Sequence, residues 1–285
     1  LADIRNIAFC GHGSSGKTTL VDNLLESTGA MNGTPSVDNG TSFCDFDPEE
    51  KSHNYSVEAS VVHFQHGGKR FNAIDTPGYP DFIGQTIGAL HGVENAVVVI
   101  NAQSGIEVNT RRVFEEAGNI GLGRMIVISK MDGENIEFEE LVSSIQELWG
   151  TRCVLLNVPV GHGADFKGVV STLRVPEDTA GALVDPASIL EPLIESIIEV
   201  DVEVMERYFE GQQPSDEELS RLIIRAVAEG SLVPILCCSG KTGTGVSEIL
   251  DALVKCGLSP ADKPRKRAAE ETAEIFPSAD GDLSG

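Results

Sequence analysis

Gly11-His12-Gly13-Ser14-Ser15-Gly16-Lys17-Thr18 decides the class of this chain. It meets the phosphate-loop pattern G-x-x-x-x-G-K-[ST] at every fixed position. Glycines let backbone N–H groups close around phosphate oxygens, Lys17 can reach the β- and γ-phosphates, and the Thr18 hydroxyl suits Mg²⁺. The apolar run Ile4–Cys10 ahead of it predicts a buried strand, and Lys17–Ser27 behind it a helix, which is the context the pattern requires. Further along, Asp75-Thr76-Pro77-Gly78 closes a second strand. Asp75 can hold the Mg²⁺ shell, and the Gly78 amide can touch a γ-phosphate. The pair can therefore sense whether that phosphate is present.

Two further segments bear on the base. Ser129-Lys130-Met131-Asp132 ends a predicted strand and resembles the guanine-reading Asn-Lys-x-Asp, with Ser129 in place of Asn. Asp132 could accept both N–H groups of guanine's Watson–Crick edge, which adenine does not offer together. Where such partners are buried, the wrong base is rejected by roughly 10⁴ or more. An ordinary strand-end charge pair would explain the segment alone, but not its place after the other two motifs. Ser239-Gly240-Lys241, after the apolar run Leu232–Cys238, fits the last and weakest base motif.

The 285 residues suffice for one large α/β domain or two smaller ones, and 41% hydrophobic with 23% charged residues is ordinary globular composition. No apolar run approaches the ~20 residues of a membrane helix. The start, Leu1-Ala2-Asp3-Ile4-Arg5, lacks Met and a signal pattern, so a trimmed end is expected. The six cysteines show no metal spacing and read as buried thiols of a reducing cytosol. A net charge of −23 repels nucleic acid at large, so any RNA contact would be local or lie elsewhere.

The pattern along the chain predicts a doubly wound, mostly parallel α/β sheet. Residues Gly29–Glu50 are polar and aperiodic and read as a flexible loop. Ser56–Phe64 and Arg70–Ile74 read as strands joined by a hairpin at His66-Gly67-Gly68-Lys69. Ala96–Ile100 and Met125–Ser129 read as central strands, with helices over Asn109–Ala117 and Phe138–Trp149. Strands are expected at Arg152–Val160 and Lys167–Leu173, and one acidic helix over Pro186–Phe209. A capped helix follows over Ser215–Glu229, then a strand at Leu232–Cys238 and a helix over Val246–Cys256. Leu258–Gly285 reads as a linker, its run Lys263-Pro264-Arg265-Lys266-Arg267 included. His63 and His66 read as surface residues.

The motif order, the long stretch between Asp132 and Ser239, and the wording Asp-Thr-Pro-Gly-Tyr-Pro-Asp-Phe at Asp75–Phe82 resemble translational GTPases. Within them, the chain resembles elongation factor G and its divergent elongation-factor-G-like branch, from Ile4 to about Ser259. Gly16–Leu20, Glu199–Gly211 and Pro234–Ser239 carry the same likeness. The resemblance implies a GTPase core at 1–157 and 232–257, an inserted α/β subdomain at 158–231, shortened after Leu173, and a linker at 258–285 toward a next domain. It implies GTP and GDP with Mg²⁺ as ligands, action on the ribosome through large-subunit RNA and the stalk protein, a monomer, and a cytoplasmic location. The acidic Glu191–Glu210 stretch has two readings, a solvated face or the stalk contact.

Four positions depart from that family. Ser14 stands for an Asp, Ser129 for an Asn, and Ser56 falls where the Mg²⁺-binding Thr is expected. Tyr79 replaces the His that positions the attacking water. A phenol with an unperturbed pKa near ~10 can orient water but is a poor base at pH 7. The candidate catalytic residues are Lys17, Gly78 and Tyr79, and Thr18, Ser56 and Asp75 are the candidate metal ligands. The nucleotide set is Gly11, His12, Gly13, Ser14, Ser15, Gly16, Lys17, Thr18, Thr19, Asp75, Gly78, Ser129, Lys130, Asp132, Ser239, Gly240 and Lys241. Three functions stay open: GTP hydrolysis, a GTP-dependent switch that barely hydrolyses, and, most remotely, a P-loop ATPase or kinase.

Overall fold

A computed structural model of the chain describes residues 1–263, 265–267 and 270–275. Alternating apolar residues build its centre. In β1 (Ile4–Cys10) Ile7 and Phe9 face one side and Ala8 and Cys10 the other, all fully buried, as a strand's period of two requires. A seven-stranded sheet forms around it, in the order β2 (Ser60–His66), β3 (Lys69–Asp75), β1, β4 (Asn95–Asn101), β5 (Gly123–Ser129), β9 (Val233–Cys237), β6 (Cys153–Leu155). Only β2 runs antiparallel to its neighbour; the other pairings are parallel. The β2–β3 turn uses Gly67 and Gly68 at φ 54° and 74°, as the hairpin signal predicted.

Both faces are covered. Helices α3 (Ile83–His91), α4 (Val108–Asn119) and α5 (Phe138–Trp149) bury Leu90, Phe114 and Ile145 against one. On the other lie α1 (Lys17–Ser27), α6 (Pro186–Ile198), α8 (Asp216–Glu229) and α9 (Val246–Cys256), which bury Leu24, Ile197, Leu222 and Ile249. This is the doubly wound, mostly parallel architecture expected.

Four local expectations need correction. The stretch 29–50 is not simply a flexible loop. Cys44 and Asp45 are buried, and α2 (Pro48–His53) starts with a capping box from Asp47 and Glu50. A six-residue helix leaves too short a period to stand out in a polar run. The single helix over Pro186–Phe209 is two, because Asp201 caps a new start: its side chain accepts from the Val204 N–H, opening α7 (Val202–Phe209). In the same stretch Glu191, Glu195, Glu199, Glu203 and Glu206 stay exposed, while α6 buries Leu193, Ile194, Ile197 and Ile198.

Where a linker was expected to begin, Leu258 and Ser259 are buried, and the Asn95 side chain bonds both the N–H and the carbonyl of Leu258. Beyond it, β10 (Arg265–Arg267) pairs antiparallel with β11 (Glu270–Ile275), so part of the expected linker is a hairpin; residues 264, 268, 269 and 276–285 lie outside the described residues. Between β6 and β9, β7 (Asn157–Val160) and β8 (Gly168–Ser171) form a two-stranded hairpin, the β portion of the expected insertion. The capping box predicted at Ser215 and Glu218 is present. All six cysteines are buried free thiols. Among the described residues no helix is long and apolar enough to cross a membrane.

Ile197 of α6 lies in the same apolar cluster as Val127 of β5 and Leu24 of α1. Ile197→Ala should therefore lower the stability of the whole chain by about 2–5 kcal/mol, as core truncations do. Unfolding followed by far-UV and tryptophan signals should stay a single coincident transition. A separate early transition of the helices would contradict the shared core.

Candidate functional site

The phosphate loop leaves the end of β1 and enters α1 through Gly16, whose φ of 91° is left-handed. Helix α1 starts with no side-chain cap and no acidic residue in its first turn. Its free N–H groups and positive dipole end thus face the loop, the arrangement that seats anions. Lys17 is buried, and its ammonium donates to the His12 carbonyl at 2.8 Å. Burial pushes the Lys17 pKa down, opposed by the neighbouring Asp75 carboxylate.

Parallel pairing of β1 with β3 sets Phe9 beside Asp75, which brings the two motifs together. The Thr18 hydroxyl donates to Asp75 Oδ2 at 2.7 Å and lies 3.1 Å from the Ser56 hydroxyl. Ser56 donates in turn to Asp45 Oδ1 at 2.7 Å. Asp75 is buried, its Oδ1 has no hydrogen-bond partner among the described residues, and desolvation pushes its pKa up to about 7. The Thr18 and Ser56 hydroxyls and the orphaned Asp75 oxygen are hard donors of the kind Mg²⁺ takes alongside phosphate oxygens.

Gly78 presses on the loop from the other side. A Cβ there would lie 2.6 Å from the Gly13 nitrogen and collide with the Lys17 ammonium, so no larger residue fits this approach. Tyr79 follows with its ring over Gly13, where a Cβ would meet the ring carbons at 3.0–3.2 Å. The same ring meets Tyr55 edge-on at 4.8 Å. Gly13, Ser14, Gly16, Lys17, Thr18, Thr19, Ser56, Gly78, Tyr79 and Lys130 thus share one cavity of about 160 Å³, closed by Val37, Asp38, Asp45, Asn54 and Tyr55.

The other expected residues, Asp75 included, lie outside the lining of this cavity. Gly11 packs on the Val99 carbonyl, and His12 turns toward Glu107 at 3.4 Å. Ser15 is buried, and its carbonyl accepts from the Ser129 hydroxyl, so the shorter serine still ties β5 to the loop. Asp132 accepts from the Ser239 hydroxyl. Gly240 packs on Thr19, with its carbonyl bonded by Asn23 at 2.9 Å, and Lys241 is exposed. Lys130 holds a left-handed φ of 58°, unusual for a residue with a side chain.

Several residues here carried no sequence signal. Asp45 sat in a polar run without period, and Asn54 and Tyr55 showed no pattern of their own. Asn109 of α4, buried, donates to the Gly78 carbonyl at 2.8 Å, yet in the sequence it was one polar residue of a helix. Asp22 of α1 accepts from the Phe43 N–H at 2.9 Å and so anchors the segment that carries Asp45.

Residues 2–258 match the family described as the elongation factor Tu GTP binding domain. The chain belongs to that family. It is 31% identical to the elongation factor G-like protein of Thermotoga maritima over 96% of this chain, and 30% identical to elongation factor G of the same organism over 93%. A crystal structure of a Thermus thermophilus protein superposes with a TM-score of 0.85 at 30% identity, covering 93% of this chain and 42% of that one. The likeness to elongation factor G read from the motifs stands. The chain spans about two fifths of the length of these relatives (41% and 40%). The matched family is one of GTP-binding, GTPase domains.

Burial pushes the Asp22 pKa up to about 6, with the Asp45 and Glu26 charges adding to the rise. The folded state then holds its proton more tightly than the unfolded chain, so stability falls as pH rises from about 4 through 6. Asp22→Asn keeps an acceptor for Phe43 without the charge. It should gain on the order of 1–2 kcal/mol over the parent at pH 7.5 and almost nothing at pH 4, read from denaturant titrations.

Proposed function

We propose that this domain binds GTP and GDP with Mg²⁺ and hydrolyses GTP by in-line attack of water, coupled to shape change on the ribosome. The observation that carries it is the single cavity where the phosphate loop, Ser56, Gly78 and Tyr79 converge. Lys17 and the loop N–H groups of Gly11–Thr19 hold the phosphates, and Thr18, Ser56 and Asp75 hold Mg²⁺. Held by those residues, the ion would supply charge stabilisation for the phosphate oxygens. Ser56 and Gly78 sense the γ-phosphate. Lys130 and Asp132 read guanine, supported by Ser129, Ser239, Gly240 and Lys241. Residues 1–157 and 232–257 form the GTPase core, 158–231 the insertion, and 258–285 the path toward a next domain.

The relatives named elongation factor G support action on the ribosome; a cytoplasmic location and a monomeric state belong to the same proposal. Helix α7 exposes Val202 and Phe209 beside Glu203, Glu206 and Glu210, a face suited to the stalk protein.

A second reading rests on Tyr79. Its ring is held between Gly13 and Tyr55, and a phenol is a weak proton acceptor at pH 7. The domain would then switch on GTP but scarcely cleave it. Single-turnover hydrolysis with and without ribosomes separates the two. Hydrolysis as the main function predicts a ribosome-stimulated rate within tenfold of Tyr79→His. The switch reading predicts that Tyr79→His is faster by roughly 10² or more, the usual worth of a positioned acid–base group. In the same preparations, ATP at a thousandfold excess should leave bound GDP in place; displacement by ATP would overturn the guanine assignment.

A further inference from the structure

The backbone at Pro77 and Gly78 is held from behind by two buried side chains on two different helices. Thr86 of α3, fully buried, donates from its hydroxyl to the Pro77 carbonyl at 2.9 Å. Asn109 of α4 donates to the next carbonyl, that of Gly78, at 2.8 Å. Both helices are set in the apolar core, α3 through Ala89 and Leu90 and α4 through Val113, Phe114 and Ala117. The two anchors therefore sit on helices packed into one apolar cluster.

A trans peptide sends its C=O and its N–H to opposite sides. With the Pro77 carbonyl turned toward Thr86, the Gly78 N–H is turned away from α3. On its other flank Gly78 closes on the phosphate loop, where a Cβ would lie 2.6 Å from both the Gly13 nitrogen and the His12 carbonyl carbon. Among the described residues the Gly78 N–H has no protein acceptor. Asn109 fixes the following peptide in the same way, and with it the start of Tyr79.

We propose that Thr86, seconded by Asn109, is a positioning residue that orients the Gly78 N–H for the γ-phosphate. Thr86 touches no nucleotide; it acts through the Pro77–Gly78 peptide. The proposal rests on Gly78 being the γ-phosphate sensor. Removing the hydroxyl leaves a buried carbonyl without its donor and lets the peptide plane turn, so the N–H loses its preset direction. A GDP complex makes no use of that direction, and a GTP complex does.

Thr86→Val keeps the shape and loses the donor, and Thr86→Ser keeps the donor and loses the methyl. Affinities for GDP and for a non-hydrolysable GTP analogue, with Mg²⁺ present, are measured by calorimetry on the parent chain and both variants. In Thr86→Val the analogue should weaken by about tenfold, the scale of one hydrogen bond to a charged group, while GDP stays within about twofold. Thr86→Ser should restore the analogue. Should the valine variant not fold, Thr86→Ala gives the same readout, with GDP affinity as its check on folding.

Equal weakening of GDP and analogue would make Thr86 a structural residue only and overturn the proposal. An unchanged analogue affinity in Thr86→Val would overturn the role of Thr86 alone. A Gly78→Ala variant that keeps the parent's analogue-to-GDP ratio would overturn the sensor, and the role of Thr86 with it. A parent that binds neither nucleotide would overturn the site assignment beneath both.

Discussion

The parallel register of β1 against β3 is the constraint on which the site depends. It sets Phe9 beside Asp75, so the chain leaves both strands at the same level and on the same edge of the sheet. Thr76 then locks the exit: its N–H and its hydroxyl both bond the Phe9 carbonyl, at 3.2 and 2.8 Å. A slip of one residue would turn Phe71 and Ala73 out of the core and carry Asp75 to the wrong face. Ligands of open α/β sheets gather beyond the carboxyl ends of the strands, and here that edge holds every motif singled out.

Within that frame the site gathers buried charge. Lys17 and Asp75 are both removed from water, with Asp45 close behind and its own carboxyl raised by burial. Buried charges are costly unless paired and hydrogen-bonded. The Lys17–Asp75 attraction meets part of that cost, and the orphaned Asp75 oxygen shows that part is left unmet. A phosphate with its cation is the kind of partner that would complete the set. Local strain points the same way: Ser14, Asn54 and Lys130 all hold left-handed backbone around one cavity.

The expected insertion is bound into the domain rather than hung from it. Its hairpin of β7 and β8 is a separate sheet whose Val158 is buried in one apolar cluster, while α6 and α8 share the other with α1, α9 and the central strands. The family resemblance implies that the segment is an insertion. Burial makes it part of the core, because its helices present apolar faces that only the sheet can cover.

Fold class, phosphate loop and motif order were all legible before any coordinate. They rest on local chemistry: glycines where backbone must close on a ligand, an apolar run leading into the phosphate loop, and a capping box at Ser215. Lys17–Ser27, Phe138–Trp149 and Val246–Cys256 were legible to their ends, since each has a full helical period. The contacts between distant segments belong to the folded chain alone. Asp45 reaching Ser56 from an aperiodic run, Asn109 on the Gly78 carbonyl and Thr86 on the Pro77 carbonyl leave no trace in spacing. A single hydrogen bond to a backbone carbonyl constrains one side chain and one peptide. It imposes no period on the residues around it, so it becomes visible only when the strands and helices have brought the partners together.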